Sequence, residues 1–258
     1  MDKAQQIAEK TLSLSRNLNA ESSEVFIRNS AATSVEVKGG VVDAFERAKD
    51  GGAGLRILSD GRIGFAYTND LSEGGLKTLV EAAHTNAQSV EFDPYAFLPD
   101  ISSNESYKTV LIHDPELVAL QEQEKIGRVI AMEREAFSVD PRIKRIRKAS
   151  ASFSESETVI MNDRGGVVRF RGTSASASIE VVAEDKGEAQ AGWEYDARRF
   201  YRRLAIEDIG RRAARKALDL LGARHLDSVR APVILEASVA EEFLSIMASG
   251  FSSENVQK

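Results

Sequence analysis

The sequence predicts an α+β fold: antiparallel meander sheets with flanking helices, arranged as an internally duplicated α-β5-α unit. Three observations predict it. Residues 23 to 68 and 143 to 201 alternate apolar and polar side chains, the period of half-buried strands. Each stretch lies between segments whose apolar residues recur three or four apart, the period of an amphipathic helix. The two stretches also share turn residues at near-constant offsets. Gly39-Gly40-Val41-Val42 matches Gly165-Gly166-Val167-Val168, and Asp60-Gly61 matches Lys186-Gly187, both 126 residues apart; Gly64 and Tyr67 match Gly192 and Tyr195 at 128. Two meanders sharing such turns by chance is the alternative. A period this long is not that of a solenoid, whose repeats run to roughly 20–50 residues.

The elements follow in chain order. Residues 2 to 17 read as a helix with Ile7, Thr11, Leu14 and Leu18 on one face. Residues 23 to 68 read as about five strands, separated by Arg28-Asn29-Ser30, Gly39-Gly40, Asp50-Gly51-Gly52 and Ser59-Asp60-Gly61. Asp60-Gly61 is the clearest hairpin signal, because glycine accepts the positive φ of a tight turn. Asp70 with Glu73 forms a capping box for a helix that buries Leu76, Leu79, Val80, Ala83 and Ala87. A connector with Pro94, Pro99 and Ser102-Ser103-Asn104 occupies residues 91 to 113. Asp114-Pro115-Glu116 then opens one long helix to about Val139. The second strand-rich stretch turns at Asn162-Asp163-Arg164-Gly165-Gly166 and Glu184-Asp185-Lys186-Gly187, and a helix from Ile206 to Leu221 ends it at Gly222. Near residue 231 something new begins: a strand Ala231-Pro232-Val233-Ile234-Leu235, then a helix capped by Ser238 with Glu241 and faced by Val239, Phe243 and Met247. A strand and one helix cannot bury their apolar sides alone. The expected division is therefore residues 1–226 as one α+β domain (repeats 2–90 and 114–222), with 227–258 the cut start of a further domain.

Composition narrows the chemistry. The chain has no cysteine, which excludes disulfides, thiolate metal sites and cysteine nucleophiles and suits a reducing, cytoplasmic setting. No apolar run approaches the ~20 residues of a membrane span, and the first residues lack a secretory signal layout. Lys+Arg of 34 against Asp+Glu of 40 gives a net charge of -6, which argues against a dedicated nucleic-acid binder. The histidines, His84, His113 and His225, are scattered, with no His-Glu-x-x-His pattern. Glu81 and His84 stand one helical turn apart, but a di-iron bundle needs that motif twice with two more glutamates. Ser150, Ser152, Ser154 and Ser156 repeat every second residue, as a solvent-facing strand side does. No Gly-x-Ser-x-Gly elbow, dinucleotide fingerprint or phosphate loop occurs. Two basic clusters, Arg142, Lys144, Arg145, Arg147 and Lys148, and Arg198, Arg199, Arg202 and Arg203, suit either phosphate contacts or protected strand edges. Trp193 and Tyr195 read as one packed strand face.

The segment Gly51-Gly52-Ala53-Gly54-Leu55-Arg56-Ile57-Leu58, followed by Asp60 to Ser72, resembles the N-terminal signature of the TldD/PmbA family, whose PmbA branch is also called TldE. The resemblance implies a two-domain subunit, with a β-rich C-terminal domain mostly beyond this sequence. In the TldD branch that domain opens with a strand and a helix bearing a His-Glu-x-x-x-His zinc motif. The matching place here, Val233 to Ser249, contains no histidine. The resemblance thus implies a PmbA/TldE-like, non-catalytic subunit of a zinc metallopeptidase, serving proteolysis or peptide maturation. Zinc is expected in a TldD-like catalytic partner, not in this chain, and the substrate is a peptide or unfolded protein. A heterodimer is expected, with a homodimer as a further option, and neither a membrane nor nucleic acid as partner. No catalytic, metal-ligating or substrate-binding residue can be named. The alternative, carried by the family's older label as a modulator of DNA gyrase, is a regulatory module acting on a topoisomerase or nucleic acid.

Overall fold

A computed structural model of the chain describes residues 3–18, 20–99 and 110–256. Met1, Asp2, the Ser102-Ser103-Asn104 part of the connector and Lys258 lie outside the described residues. Two compact units divide at Leu221/Gly222 and are taken separately.

The first unit reads the same plan twice. Its elements are α1 (Lys3–Arg16), β1 (Ser22–Lys38), β2 (Val41–Ser59), β3 (Arg62–Thr68), α2 (Glu73–Ser89), α3 (Pro115–Ala119), α4 (Glu122–Phe137), β4 (Ile143–Asn162), β5 (Val167–Asp185), β6 (Glu188–Arg198), a 3-10 turn Tyr201–Arg203, and α5 (Ile206–Asp219). All six strands join one antiparallel sheet in the order β3-β2-β1-β4-β5-β6. The α+β class and the antiparallel meanders stand as expected. The strand count does not: each half has three long strands, not five short ones, and the two meanders fuse through β1–β4 pairing from Glu24↔Asn162 to Val37↔Ala149.

The physical reason lies in the core, which is double. α1 and α2 cover Val25, Ile27, Leu55 and Ile57. α4 and α5 cover Ala151, Phe153, Ile179 and Val181, and this second core also takes Val35 and Val37 from the far end of β1. β1 and β4 therefore run from one core into the other, and β2 reaches the second core with Phe45. Residues that cross the gap between the helix layers are polar or small. Arg28-Asn29-Ser30 and Asp50-Gly51-Gly52 sit there, paired directly with each other in unbroken register. They imitate turns in sequence because turns and solvated mid-strand residues want the same side chains. Three of the turns that remain are two-residue hairpins with positive φ at both positions: Gly39 and Gly40 (61° and 76°), Asp60 and Gly61 (48° and 65°), and Lys186 and Gly187 (50° and 84°); β4 and β5 are joined by the longer turn 163–166.

Other elements shift in detail. α1 buries Ala4, Ala8, Thr11, Leu12 and Ser15, so its small-residue side faces the sheet, and Ile7, Leu14 and Leu18 lie at the edge of the core. The α2 cap is Ser72, whose Oγ accepts from Gly75 N at 3.2 Å; Asp70 instead accepts from Ser72 N at 2.9 Å. The α2 stripe is as expected, Leu76, Leu79, Val80, Ala83 and Ala87. The helix from Asp114 is broken: Asp114 caps the short α3, and Leu120 and Gln121 turn extended before α4 restarts. Glu122 and Glu124 favour that restart by placing negative charge at the new N-terminus.

In the second unit, residues 231–236 form no strand. An unpaired strand has no ladder partner to satisfy its backbone. α6 (Ala237–Gly250) and α7 (Ser253–Val256) follow. The α6 N-cap is Glu236 without a side-chain cap bond, so Ser238 lies inside the first turn, and no α6 residue is buried. Among the described residues, no helix is long and apolar enough to cross a membrane.

Candidate functional site

The sequence-derived candidates come first. His84 faces Gln88 at 3.1 Å along α2, whereas Glu81 leans toward Lys77 at 3.9 Å, so Glu81 and His84 share no ligand position. His113 Nε2 meets Glu155 Oε1 at 3.0 Å. Glu155 also receives Arg171 at 3.3 Å, and Glu157 receives Arg169 at 3.1 Å. His225 is exposed in the second unit. Among the described residues no three His, Asp or Glu side chains gather as a metal site. The helix α6, where a catalytic relative would carry its zinc motif, offers only Glu241 and Glu242, so the residues present do not fit zinc.

Much of the basic clusters is neutralised in place. Arg142 binds Asp140 at 2.9 Å, Arg145 Glu184 at 3.1 Å, Arg147 Glu180 at 2.7 Å and Lys148 Glu36 at 3.0 Å. Arg198 binds Asp196 at 2.6 Å, and Arg202 binds Glu116 at 2.5 Å. Arg203 stacks over Phe200. Except for Arg202–Glu116, which ties the 3-10 turn to α3, each ion pair is a cross-strand or local clamp, the arrangement that guards a sheet surface. A half-buried network behind the α3–α4 break does similar structural service. Arg128 donates to Glu207 at 2.7 Å and to the Tyr201 hydroxyl at 3.1 Å. Burial opposes the Arg128 charge, yet Glu207 and Tyr201 outweigh it and raise its pKa. Burial raises the Tyr201 pKa too; Glu124 adds to that and Arg128 pulls the other way.

What remains is a sheet face. α1, α2, α4 and α5 all pack on one side, against the odd-numbered residues of β1 and β4. The other side holds the serines, which form a ladder across strands: Ser34 with Ser152 at 3.4 Å, Ser150 with Ser178 at 3.2 Å, and Ser154 with the Ser174 carbonyl at 3.3 Å. Those of β4 and β5 are half-buried, and Ser34 on β1 is exposed. A shallow hollow of about 330 Å³ lies over them, bordered by Tyr195.

Stacked aromatic pairs mark both edges of this face. On β3, Phe65 and Tyr67 stack with centroids 6.3 Å apart; on β6, Trp193 and Tyr195 stack at 6.1 Å with planes 1° from parallel. Trp193 and Tyr195 are 59% and 49% exposed, which corrects the reading of a packed strand face. The intervening residues explain the exposure: Gly192 and Glu194 point to α5, so 193 and 195 must point away. Beside Phe65 and Tyr67 lies a second hollow of about 280 Å³, mostly apolar, floored by Gly52 and Gly54 and walled by Phe26. The alternation of aromatics around Gly64 and Gly192 was the sequence signal for these pairs. The hollow had no such signal, because it depends on β1, β2 and β3 being neighbours.

Comparison with known proteins places the chain. A model described as PmbA/TldA metallopeptidase domain 1 matches residues 23–87, and one described as the PmbA/TldA metallopeptidase central domain matches 115–221. A metalloprotease PmbA homolog of Buchnera aphidicola (subsp. Acyrthosiphon pisum, strain APS) is 31% identical over 95% of this chain and 55% of its own length. Metalloprotease PmbA of Escherichia coli O157:H7 is 26% identical over 93% of this chain and 53% of its own. In structure, a candidate modulator of DNA gyrase from Bacteroides thetaiotaomicron VPI-5482 superposes with a TM-score of 0.84 at 20% identity, covering 97% of this chain and 57% of that one. TldE from Thermococcus kodakarensis gives 0.72 at 19%, covering 82% and 47%. The chain spans about half the length of the curated relatives it matches.

Proposed function

The chain belongs to the PmbA/TldD metallopeptidase family, and from that premise we propose that it serves as a non-catalytic, PmbA/TldE-like subunit of a zinc peptidase. The carrying observation is the histidine-free stretch from Val233 to Ser249, at the place where the resemblance puts the zinc motif of a catalytic subunit. Zinc, on this reading, sits in a TldD-like partner and supplies the Lewis acid and bound water for peptide hydrolysis. This chain contributes a wall of the peptide cleft. Its uncovered sheet face supports that role, with two hollows and an aromatic pair at each edge. The β3 edge is a poor acceptor for an added strand, because Asn86 already donates to the Phe65 carbonyl at 2.8 Å. The setting is cytoplasmic and the assembly a heterodimer. The paired arginines of the basic clusters weigh against a nucleic-acid surface, so the gyrase-modulator reading gains no support from the fold.

Co-expression with a TldD-type zinc subunit tests the proposal. A stable complex on size exclusion, with peptide hydrolysis faster than for the zinc subunit alone, is the expected result. Separate elution and an unchanged rate would overturn it.

A further inference from the structure

We infer that the hollow over Gly52 and Gly54 is a selectivity pocket that takes one bulky apolar side chain of an extended peptide. The inference rests on the peptide-cleft reading above and names what that cleft prefers. Three observations carry it. The first is size and lining. At about 280 Å³ the hollow is smaller than the ~300–1,000 Å³ of small-molecule sites. It fits a side chain better than a free ligand, and its walls are the rings of Phe26, Phe65 and Tyr67.

The second is the floor. Gly54 pairs with Phe26 on one side and Tyr67 on the other, so three consecutive strands put ring, glycine, ring in one row. A Cβ on Gly54 would lie 3.2 Å from Phe65 Cε2, and one on Gly52 would lie 2.8 Å from the Thr68 carbonyl oxygen. A larger residue at Gly54 would push the Phe65 ring out of the wall of the hollow. The equivalent row at the other edge has Ser178 beside Tyr195, and its hollow is lined by polar and apolar atoms alike.

The third is the mouth. Arg28 and Asp50 border the hollow as diagonal neighbours across β1 and β2. Neither has a side-chain partner among the described residues, on a sheet where Arg56, Arg145, Arg147, Arg169 and Arg171 are each paired with a glutamate. One donor and one acceptor at the lip suit the carbonyl and amide of a peptide backbone lying over the face. The side chain between them then packs against the rings of Phe26, Phe65 and Tyr67.

The test is fluorescence anisotropy of the chain with two dye-labelled ten-residue Gly/Ser peptides, identical except for a central Phe or Ala. The Phe peptide should bind about tenfold or more tightly than its Ala twin, as burial of a ring requires. Gly54→Val should erase that difference. Tyr67→Ala, at a side chain that is 77% exposed, should reduce it without disturbing the core. Arg28→Ala should weaken both peptides alike. Equal affinity for the twins, no binding of either, or preference retained in folded Gly54→Val would each overturn the pocket. Co-purification with the zinc subunit is scored separately. Preference for Phe without a complex leaves the pocket standing and removes the subunit role; a complex without preference does the reverse.

Discussion

The two halves of the sheet share one backbone plan and spend their small residues differently. In both, a glycine on the edge strand lets the last helix of the half settle onto the sheet. A Cβ on Gly64 would strike the Ala83 carbonyl and the Ala87 amide of α2; one on Gly192 would strike the Ala213 carbonyl and the Ala217 amide of α5. Beyond that shared contact they diverge. The first half keeps glycines at 52 and 54 on its uncovered face, and a hollow opens there. The second half has serines at the corresponding positions and puts its extra glycine in the helix layer, where Gly210 of α5 lies against the Met132 carbonyl of α4. The counterpart of Gly210 in α2 is Val80, buried in the first core. Both free faces carry a hollow, mostly apolar beside the glycines and mixed over the serines, and only the second half also draws its helices together with a glycine. A repeated backbone can therefore keep its packing geometry while its two copies take different tasks.

The sharpest way to break this comparison is to ask whether the halves unfold together. Leu55 and Ile179 are fully buried at matched places in the two cores. Leu55→Ala and Ile179→Ala should each cost about 2–5 kcal/mol, the range for large-to-small core changes. Because β1, β2 and β4 run through both cores, either variant should shift one common urea transition. Two separated transitions in either variant would show that the halves are independent.

That same continuity decided what was legible in the sequence. The amphipathic stripe of α2, the hairpins at Asp60-Gly61 and Lys186-Gly187, and the second meander could all be read, because each is set by neighbours within a few residues. Arg28-Asn29-Ser30 misled, since nothing local says that a polar run lies mid-strand between two helix layers. The break between α3 and α4 was hidden too: Leu120 and Gln121 carry no proline or glycine to announce it. Of the candidate site, the aromatic alternation was visible but its direction was not. Which side of β6 faces helices depends on α5, some 20 residues away in sequence, a pairing that no period reveals.

The next effects concern close approach. Gly64→Ala and Gly192→Ala should each destabilise by about 2–3 kcal/mol, because backbone atoms and not flexible side chains must give way. Equal costs would confirm the shared contact, and a large inequality would break it. Gly210→Ala should cost a similar amount, about 2–3 kcal/mol, by forcing α4 and α5 apart. All three read out as urea midpoints at unchanged slope.

A smaller effect separates the two hairpin turns nearest the middle of the sheet. The Gly39-Gly40 turn is held from the other half: the buried Glu133 carboxylate of α4 accepts Gly39 N at 2.9 Å and Gly40 N at 2.5 Å. The β4–β5 turn is held within itself, with Asn162 Oδ1 accepting from Gly166 N at 2.8 Å and Arg164 N at 3.2 Å, and from the first half at Asp163, whose carbonyl accepts from Arg16 at 2.7 Å. Glu133→Ala should cost about 2 kcal/mol, as charged hydrogen bonds do, and should speed amide exchange at Gly39 and Gly40. Asn162→Ala should cost about 1 kcal/mol, with its exchange effect confined to residues 162 to 166. Equal spread of the exchange effects would remove the distinction.

The smallest expected effect is one of pH, at a turn in the second half. At the α4–β4 turn, the Arg142 guanidinium donates to Asp140 at 3.0 and 2.9 Å and the Arg142 backbone N–H at 2.8 Å. These side-chain bonds first, and the backbone bond second, hold the Asp140 pKa down to about 2 from 3.8. A carboxyl whose folded pKa is depressed contributes stability above its unfolded value and loses it as pH falls toward the folded one. The Asp140 contribution is therefore complete above about pH 4 and fades toward about pH 2. Asp140→Asn should lower the urea midpoint slightly at neutral pH and leave it closer to wild type near pH 2.5, because there the unfolded wild type takes up a proton at Asp140 that the folded state still lacks, which offsets the attraction. Because the turn lies at the solvent surface, the neutral-pH difference should stay small and shrink further in salt. A gap between the two proteins that widens as the pH drops would contradict the sign of the linkage and detach the turn from acid stability altogether.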